Sequence, residues 1–321
     1  MKFDSEFLTK LEYLSLVSKR IFRGQLLARK RTRQLGGGVE FADHRDYALG
    51  DDLRHLDWNV YARLGSRLIK RFEKEEDLHV YFLLDCSRSM AVGEPSKFDY
   101  ARQLTAALAY IALADLDRIS VVPFADEIYD VFPLTRGKQH VLSLFRFLES
   151  LETVAARTNL TDCVREFVHR KQRSGLAVIL SDLFDPAGFQ QAVNLLRYKR
   201  YEPNLIQIHD RSEAAPRLRG DIRIVDIETE AAIDVTINEN ALHRYKAVFA
   251  EFLDSIKRYC IGYGLGGTIV RTEIPFDELI LDMMRQSGQT DLFFTGLKSS
   301  SMASHGDCKV VFSSPLPLGE G

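Results

Sequence analysis

Leu78-His79-Val80-Tyr81-Phe82-Leu83-Leu84-Asp85-Cys86-Ser87-Arg88-Ser89-Met90 is the stretch whose reading decides the fold. It begins as a nearly unbroken apolar run and ends abruptly in Asp-x-Ser-x-Ser. Apolar side chains at successive positions suit a strand covered on both faces, as in the centre of a parallel sheet. A helix-like stretch, Lys97 to Leu116, follows, and then a second apolar run, Ile119 to Phe124. This β-α-β order places Asp85 at the carboxyl end of a strand, the edge where open α/β sheets bind ligands. One carboxylate and two hydroxyls, two residues apart, can converge on a hard cation that prefers oxygen.

Two further segments point to the same edge. Leu176-Ala177-Val178-Ile179-Leu180-Ser181-Asp182 is a second buried-strand pattern ending in an acid. Arg157-Thr158-Asn159-Leu160-Thr161-Asp162 is a polar loop that opens a helix. Adjacent parallel strands end on one side of the sheet, so loops distant in sequence meet there. Mg²⁺ takes about six oxygens and keeps several waters. Two serines, a threonine, two aspartates and water supply that set. Where hydroxyls bind directly and the aspartates act partly through water, the ion stays under-neutralised and attracts a carboxylate from another molecule. That chemistry is binding rather than hydrolysis. The competing structural reading is that Ser87 and Ser89 cap the next helix and Asp182 merely ends a strand.

The 321 residues suffice for one large domain or two ordinary ones. Hydrophobic content of 45% and charged content of 27% are ordinary for a globular protein. A formal charge of −2 implies no general attraction to nucleic acid or membrane. Cys86, Cys163, Cys260 and Cys308 are scattered, without zinc spacing, which favours a reducing, cytoplasmic setting. No signal-peptide core is evident, and no stretch approaches the roughly 18 apolar residues of a membrane span.

Before the central stretch, Phe3 to Ile21 has helical apolar spacing, and Lys19 to Arg33 is basic without an acid. Gly36-Gly37-Gly38 lacks the rest of a P-loop and reads as a flexible turn. From Glu40 to Glu76, charges of both signs alternate with aromatics, as in a hydrogen-bonded shell. There Arg45, Arg54 and Arg63 are matched to Asp46, Asp52 and Asp57. After the central stretch, helices are expected over 139–151, 162–171, 186–201, 240–263 and 276–286. Strands are expected over 204–209, 222–227 and 268–272, with 127–132 as a hairpin partner or neighbour of the strand at 118–125. The segment from Lys298 onward has the composition of a disordered tail.

Asp85-x-Ser87-x-Ser89, Thr161 and Asp182 resemble the metal-ion-dependent adhesion site of von Willebrand factor A domains. Thr161 is the better match for that family's threonine, with Thr158 as the fallback. The upstream block is more specific. Glu40-Phe41, Arg45-Asp46-Tyr47, Gly50-Asp51-Asp52-Leu53-Arg54-His55-Leu56-Asp57-Trp58, Ala62-Arg63 and Phe72-Glu73 closely resemble the signature of the bacterial family called domain of unknown function 58, DUF58. The resemblance spans about Gly24 to Gly296. It implies a von Willebrand A-like domain after this block, and a protein encoded beside a MoxR-type AAA+ ATPase and acting as its adaptor or effector. Many members carry N-terminal membrane spans; this chain shows none.

The expected architecture is α/β, with a central, mainly parallel, Rossmann-like sheet covered by helices on both faces. An N-terminal segment, 1–77, precedes a von Willebrand A-like domain, 78–296, and a tail, 297–321. The expected function is a non-catalytic, Mg²⁺-dependent (or Mn²⁺- or Ca²⁺-dependent) protein-binding module. Asp85, Ser87, Ser89, Thr161 and Asp182 are its metal residues. The expected partner is the MoxR-type ATPase or another protein offering an acidic side chain, with no small-molecule substrate. A metal-dependent phosphohydrolase using Asp85 is the first alternative, although Ser87 stands where such chemistry usually needs a second acid. Nucleic-acid binding through Lys19–Arg33 is the second.

Overall fold

A computed structural model describes residues 5–30, 35–73, 78–154, 158–170, 172–216, 220–225 and 232–286. The chain divides into two compact units: residues 1–19 with 79–321, and residues 20–78. The first helix, α1 (Ser5–Lys30), contributes to both. It runs well past the expected Ile21 and takes in most of the basic stretch. The tail from 287 onward lies outside the described residues.

The smaller unit is built on an antiparallel pair, β1 (Leu35–Asp46) and β2 (Leu68–Glu73), with α2 (Trp58–Leu64) between them in sequence. The glycine run expected as a turn lies inside β1. Leu35 and Glu40 both face Glu73, so residues 36–39 form an irregularity within the strand that has no pairing partner on β2. Asp57 is the hub. Its Oδ1 accepts from the backbone N–H groups of Asn59 and Val60, capping α2. Its Oδ2 takes His44 Nε2 at 2.8 Å and Lys70 Nζ at 3.5 Å. The His44 bond is the main reason its carboxyl is held down to about 2. Gly65 ends the helix in the left-handed region, at φ 68°. Of the expected ion pairs, Arg54–Asp52 forms at 2.8 Å. Arg45 instead reaches Asp51, at 2.6 Å, and Asp57 takes His44 and Lys70 in place of Arg63. Sequence proximity alone does not choose among several nearby acids.

The larger unit holds a six-stranded sheet. Its strands are β3 (His79–Asp85), β4 (Arg118–Phe124), β5 (Phe132–Arg136), β6 (Leu176–Ser181), β7 (Glu202–His209) and β10 (Gly266–Arg271). The spatial order is β10-β7-β6-β3-β4-β5, parallel throughout except for β5. The central stretch is therefore interior, paired to β4 on one side and β6 on the other, with all seven residues buried. That arrangement is why its apolar run does not alternate. β5 begins where the expected hairpin segment 127–132 ends.

The intervening helices are α3 (Lys97–Ala114), α4 (Val141–Ser150), α5 (Leu160–His169), α6 (Gln190–Tyr198), the short α7 (Arg211–Ala214), α8 (Glu239–Tyr263) and α9 (Phe276–Gln286). One sheet face is covered by α5, α6 and α8, through Phe167, Val193, Leu196, Ile256 and Cys260. The other carries α3, flanked by α4 and α9. The start of α1 joins them: Phe7 packs on Phe145 and Phe276, and Leu11 and Leu14 are fully buried. A separate antiparallel pair, β8 (Gly220–Val225) and β9 (Ala232–Ile237), precedes α8. β9 is absent from the sequence expectation, although Ile233, Val235 and Ile237 alternate with Asp234 and Thr236.

Gly175, at the entry to β6, leaves no room for a side chain. A Cβ there would meet the carbonyl oxygen of His79 at 2.2 Å. Gly175→Ala is expected to destabilise the larger unit by about 1–3 kcal/mol, the usual cost of overpacking. Urea denaturation checks this; wild-type stability in the variant would show that β6 can shift away from β3.

Candidate functional site

The carboxyl ends of β3, β4 and β6 form one edge, and the loops leaving them are tied together there. Cys86 N–H donates to Phe124 O at 2.7 Å, and Val154 N–H to Cys86 O at 2.7 Å. Asn159 N–H donates to Ala125 O at 2.8 Å, and Leu160 N–H to Asp185 Oδ2 at 2.9 Å. The threonine loop is thus fastened both to the end of β4 and to the loop after β6.

Asp85 is fully buried, with both oxygens engaged. Oδ1 accepts from Ser87 N–H at 2.9 Å and Oδ2 from Ser181 Oγ at 2.5 Å. Burial, and then the charge of Asp182, push its carboxyl up to about 7. Ser87 and Ser89, also buried, place their Oγ atoms 2.9 Å apart. The helix-capping explanation for them does not hold. Ser87 makes no side-chain cap bond to the turn Arg88–Ala91, and α3 is capped by Ser96, which accepts from Asp99 N–H at 3.0 Å.

Thr158 and Thr161 are 5% and 7% exposed, and their hydroxyls have no hydrogen-bond partner among the described residues. Asn159, not threonine, caps α5, accepting from Asp162 N–H at 3.1 Å. A buried polar group left unpaired costs about 1–3 kcal/mol, so such hydroxyls call for a ligand or water.

Asp182 is placed differently from the simplest expectation. Its Oδ2 accepts from Lys97 Nζ at 2.7 Å and its Oδ1 from Phe184 N–H at 3.1 Å. Lys97 also donates to Glu213 Oε1 at 2.6 Å, and Glu213 Oε2 accepts from Asp210 N–H at 2.8 Å. Lys97 is 0% exposed, with its ammonium 5.4 Å from the Phe184 ring centre. Burial alone would pull its pKa down; the two carboxylates outweigh that and hold it above the ordinary lysine value. Nearby His209 is pushed down to about 4 by burial and by the Lys97 charge, so it is neutral at pH 7.

The sequence reading missed this lysine, together with Ser181 and Glu213. A signal for Lys97 existed. It shares a helical stripe with Ala101 and Leu104, both fully buried, so a charge sits on the core-facing side of α3. Glu213, within the short α7, carried none.

Beside Cys86 opens a depression of about 500 Å³ whose lining includes Pro123, Leu151, Val154, Glu127 and Glu152. Among the described residues no three His, Cys, Asp or Glu side chains gather as a metal-binding group. At this edge the structure brings Ser181 onto Asp85 and Ser87 onto Ser89. No helix of the described residues is long and apolar enough to cross a membrane.

Comparison with known proteins places the chain among relatives of similar length. It is 23% identical over 274 residues to uncharacterized proteins of Mycobacterium bovis and Mycobacterium tuberculosis, covering 84% of this chain and 86% of each relative. Among solved structures it is similar to the conserved hypothetical protein BatB from Bacteroides thetaiotaomicron. That likeness has a TM-score of 0.42 and 16% identity, over 65% of this chain and 96% of that one. An aerotolerance-related membrane protein from Bacteroides fragilis gives a TM-score of 0.42 and 16% identity, over 67% of this chain and all of that one. The family described as "Protein of unknown function DUF58" matches residues 43–251, more than half of the sequence and spanning both compact units. The chain therefore belongs to the DUF58 family.

Proposed function

We propose that the larger unit is a von Willebrand A-like, metal-dependent docking module rather than an enzyme. The observation that carries this is the pair of buried threonine hydroxyls, without a partner among the described residues, at the edge that also holds Asp85 and the Ser87–Ser89 pair. The donor set fits a hard divalent cation, Mg²⁺ first, with Mn²⁺ or Ca²⁺ as substitutes. Ser87, Ser89 and Thr161 would hold it, with Asp85 beside them. Asp182 would act through water, since Lys97 already occupies one of its oxygens. The ion would supply an electrophilic point for a partner's carboxylate. Asp85, fully buried with both oxygens accepting hydrogen bonds, suits an orienting carboxylate better than a nucleophile.

The partner we propose is a MoxR-type AAA+ ATPase encoded beside this chain, or another protein presenting an acidic side chain. Purified ATPase is expected to be captured by the immobilised full chain in Mg²⁺. Capture should be lost in EDTA and in the Ser87→Ala/Ser89→Ala variant. Equal capture with EDTA and by the variant would move the interface away from this edge.

A further inference from the structure

The parallel strands β10, β7 and β6 start side by side at the sheet edge opposite Asp85. They follow α8, α6 and α5 respectively. Segments 263–266, 197–202 and 169–175 make these connections, with the described cations Arg170, Arg173, Arg197, Lys199 and Arg200 against one acid, Glu202. Arg170 is paired with Glu166 at 2.7 Å. The other four meet no carboxylate at ion-pair distance among the described residues. A formal charge of −2 for the whole chain thus conceals a basic pole on the larger unit.

Tyrosine rings lie among these cations. Tyr198 is 79% exposed, with Lys199 Nζ 5.6 Å from its ring centre. Tyr263 is 49% exposed, with the Arg197 guanidinium 4.2 Å from its ring centre. The backbone beneath is fixed. Tyr81 Oη donates to Arg173 O at 2.8 Å, Tyr201 Oη to Gln172 O at 3.3 Å, and Glu202 N–H to Gly175 O at 2.9 Å. Arg200 stands at φ 64°, in the left-handed region where a glycine is favoured. Cations at helix C-termini also offset the helix dipole, an effect confined to the last turn. That explains Arg170 and Arg197. It explains neither Arg173, which lies beyond the end of α5, nor a left-handed arginine, nor the exposed rings.

We infer that this edge binds single-stranded nucleic acid. Arg173, Arg197, Lys199 and Arg200 meet its phosphates, and the Tyr198 ring carries a base. Cations interleaved with open aromatic faces suit such a strand, because every base has a face to stack. A layer of lipid headgroups offers the rings nothing flat. Phosphates and base faces are common to RNA and DNA, so both bind alike. The metal residues lie at the other end of the same strands, about 20 Å away along β6, so binding needs no divalent ion.

The test is fluorescence anisotropy of labelled oligoadenylate of about 15 nucleotides, as RNA and as DNA, titrated with the full chain in EDTA. The wild type is expected to bind both, with log Kd rising against log salt at a slope of about 2.8, from four phosphate contacts at about 0.7 each. Arg173→Gln/Arg200→Gly removes two of them. It is expected to weaken binding at low salt by about tenfold or more and to halve the slope. Its melting temperature should hold, since glycine suits the left-handed turn at 200. Tyr198→Ala is expected to weaken binding by about fivefold or more with the slope unchanged, which separates stacking from charge. No binding by the wild type, or wild-type binding by the arginine variant, would overturn the assignment. So would wild-type affinity in Tyr198→Ala, which would leave only a surface for any polyanion. Co-sedimentation of the wild type with phosphatidylserine vesicles, without binding of either oligonucleotide, would replace nucleic acid by a lipid surface.

Discussion

Asp85→Asn is expected to raise the melting temperature of the metal-free protein at pH 8. The carboxyl titrates near 7 in the fold, against an ordinary 3.8, because burial and Asp182 penalise its charged form. Between those two values the native state holds a proton that the unfolded chain has released. Stability therefore falls as pH rises through this window and stays at its lower level above about 7. The shift corresponds to a cost on the order of 4 kcal/mol for ionised Asp85. Asparagine removes the charge and keeps the contacts: its carbonyl accepts from Ser87 N–H, and its amide can donate to Ser181 Oγ. Melting curves from pH 5 to pH 8 check the sign. The Asp85 contribution should appear as a decline in wild-type stability that Asp85→Asn lacks. A variant less stable than wild type at pH 8 would mean that Asp85 is ionised without penalty. On the docking proposal, Mg²⁺ should stabilise the wild type at pH 8 and leave Asp85→Asn unchanged.

Lys97→Met should have the opposite effect on stability, a loss of about 3–5 kcal/mol, because it leaves two buried carboxylates without their cation. Asp182 and Glu213 side chains are 0% and 6% exposed, so water cannot readily replace the ammonium. Removing all three charges together, in Lys97→Met/Asp182→Asn/Glu213→Gln, should recover most of the loss. Replacing a whole buried ionic group is far less costly than breaking it. Urea unfolding of the two variants beside wild type gives both values. If the triple variant is no more stable than the single one, the cluster is holding α3 to the β6 and β7 ends by packing rather than by charge.

The depression beside Cys86 bears on partner choice in the docking proposal. Glu127 and Glu152 line the depression together with apolar Pro123, Leu151 and Val154. A partner segment that sends a carboxylate to the metal is favoured if it also carries a lysine or arginine. Such a side chain can lay its methylene stem on Pro123 and Leu151 and its charge beside the glutamates.

How much of this was legible before the fold is clear from particular residues. Val80 to Leu84 announced a strand buried on both faces, and Leu176 to Leu180 announced its neighbour, because only a covered parallel strand needs apolar side chains at every position. Helices α3, α8 and α9 were placed to within a few residues by periodicity and by Gly264. The glycine run at 36–38 falls within the range of β1, at the irregularity where Leu35 and Glu40 both face Glu73, so the break in pairing lies where the sequence suggests a turn. The ion pairs of Arg45 and Asp57 were misassigned, because which of several nearby acids a base meets depends on strand register.

By itself the sequence determined the α/β layering, the position of Asp85 at the end of a core strand, and family membership, all of which rest on patterns within short windows. Only the tertiary structure decided that Ser87 and Ser89 face each other instead of capping a helix, and that Thr158 and Thr161 are buried without hydrogen-bond partners among the described residues. It alone joined Lys97 to residues 85 and 116 positions further along the chain. The physical reason is that a buried charge is tolerated only where packing brings its counter-charge into contact, and which distant segments come into contact is settled by packing of the whole sheet and its helices.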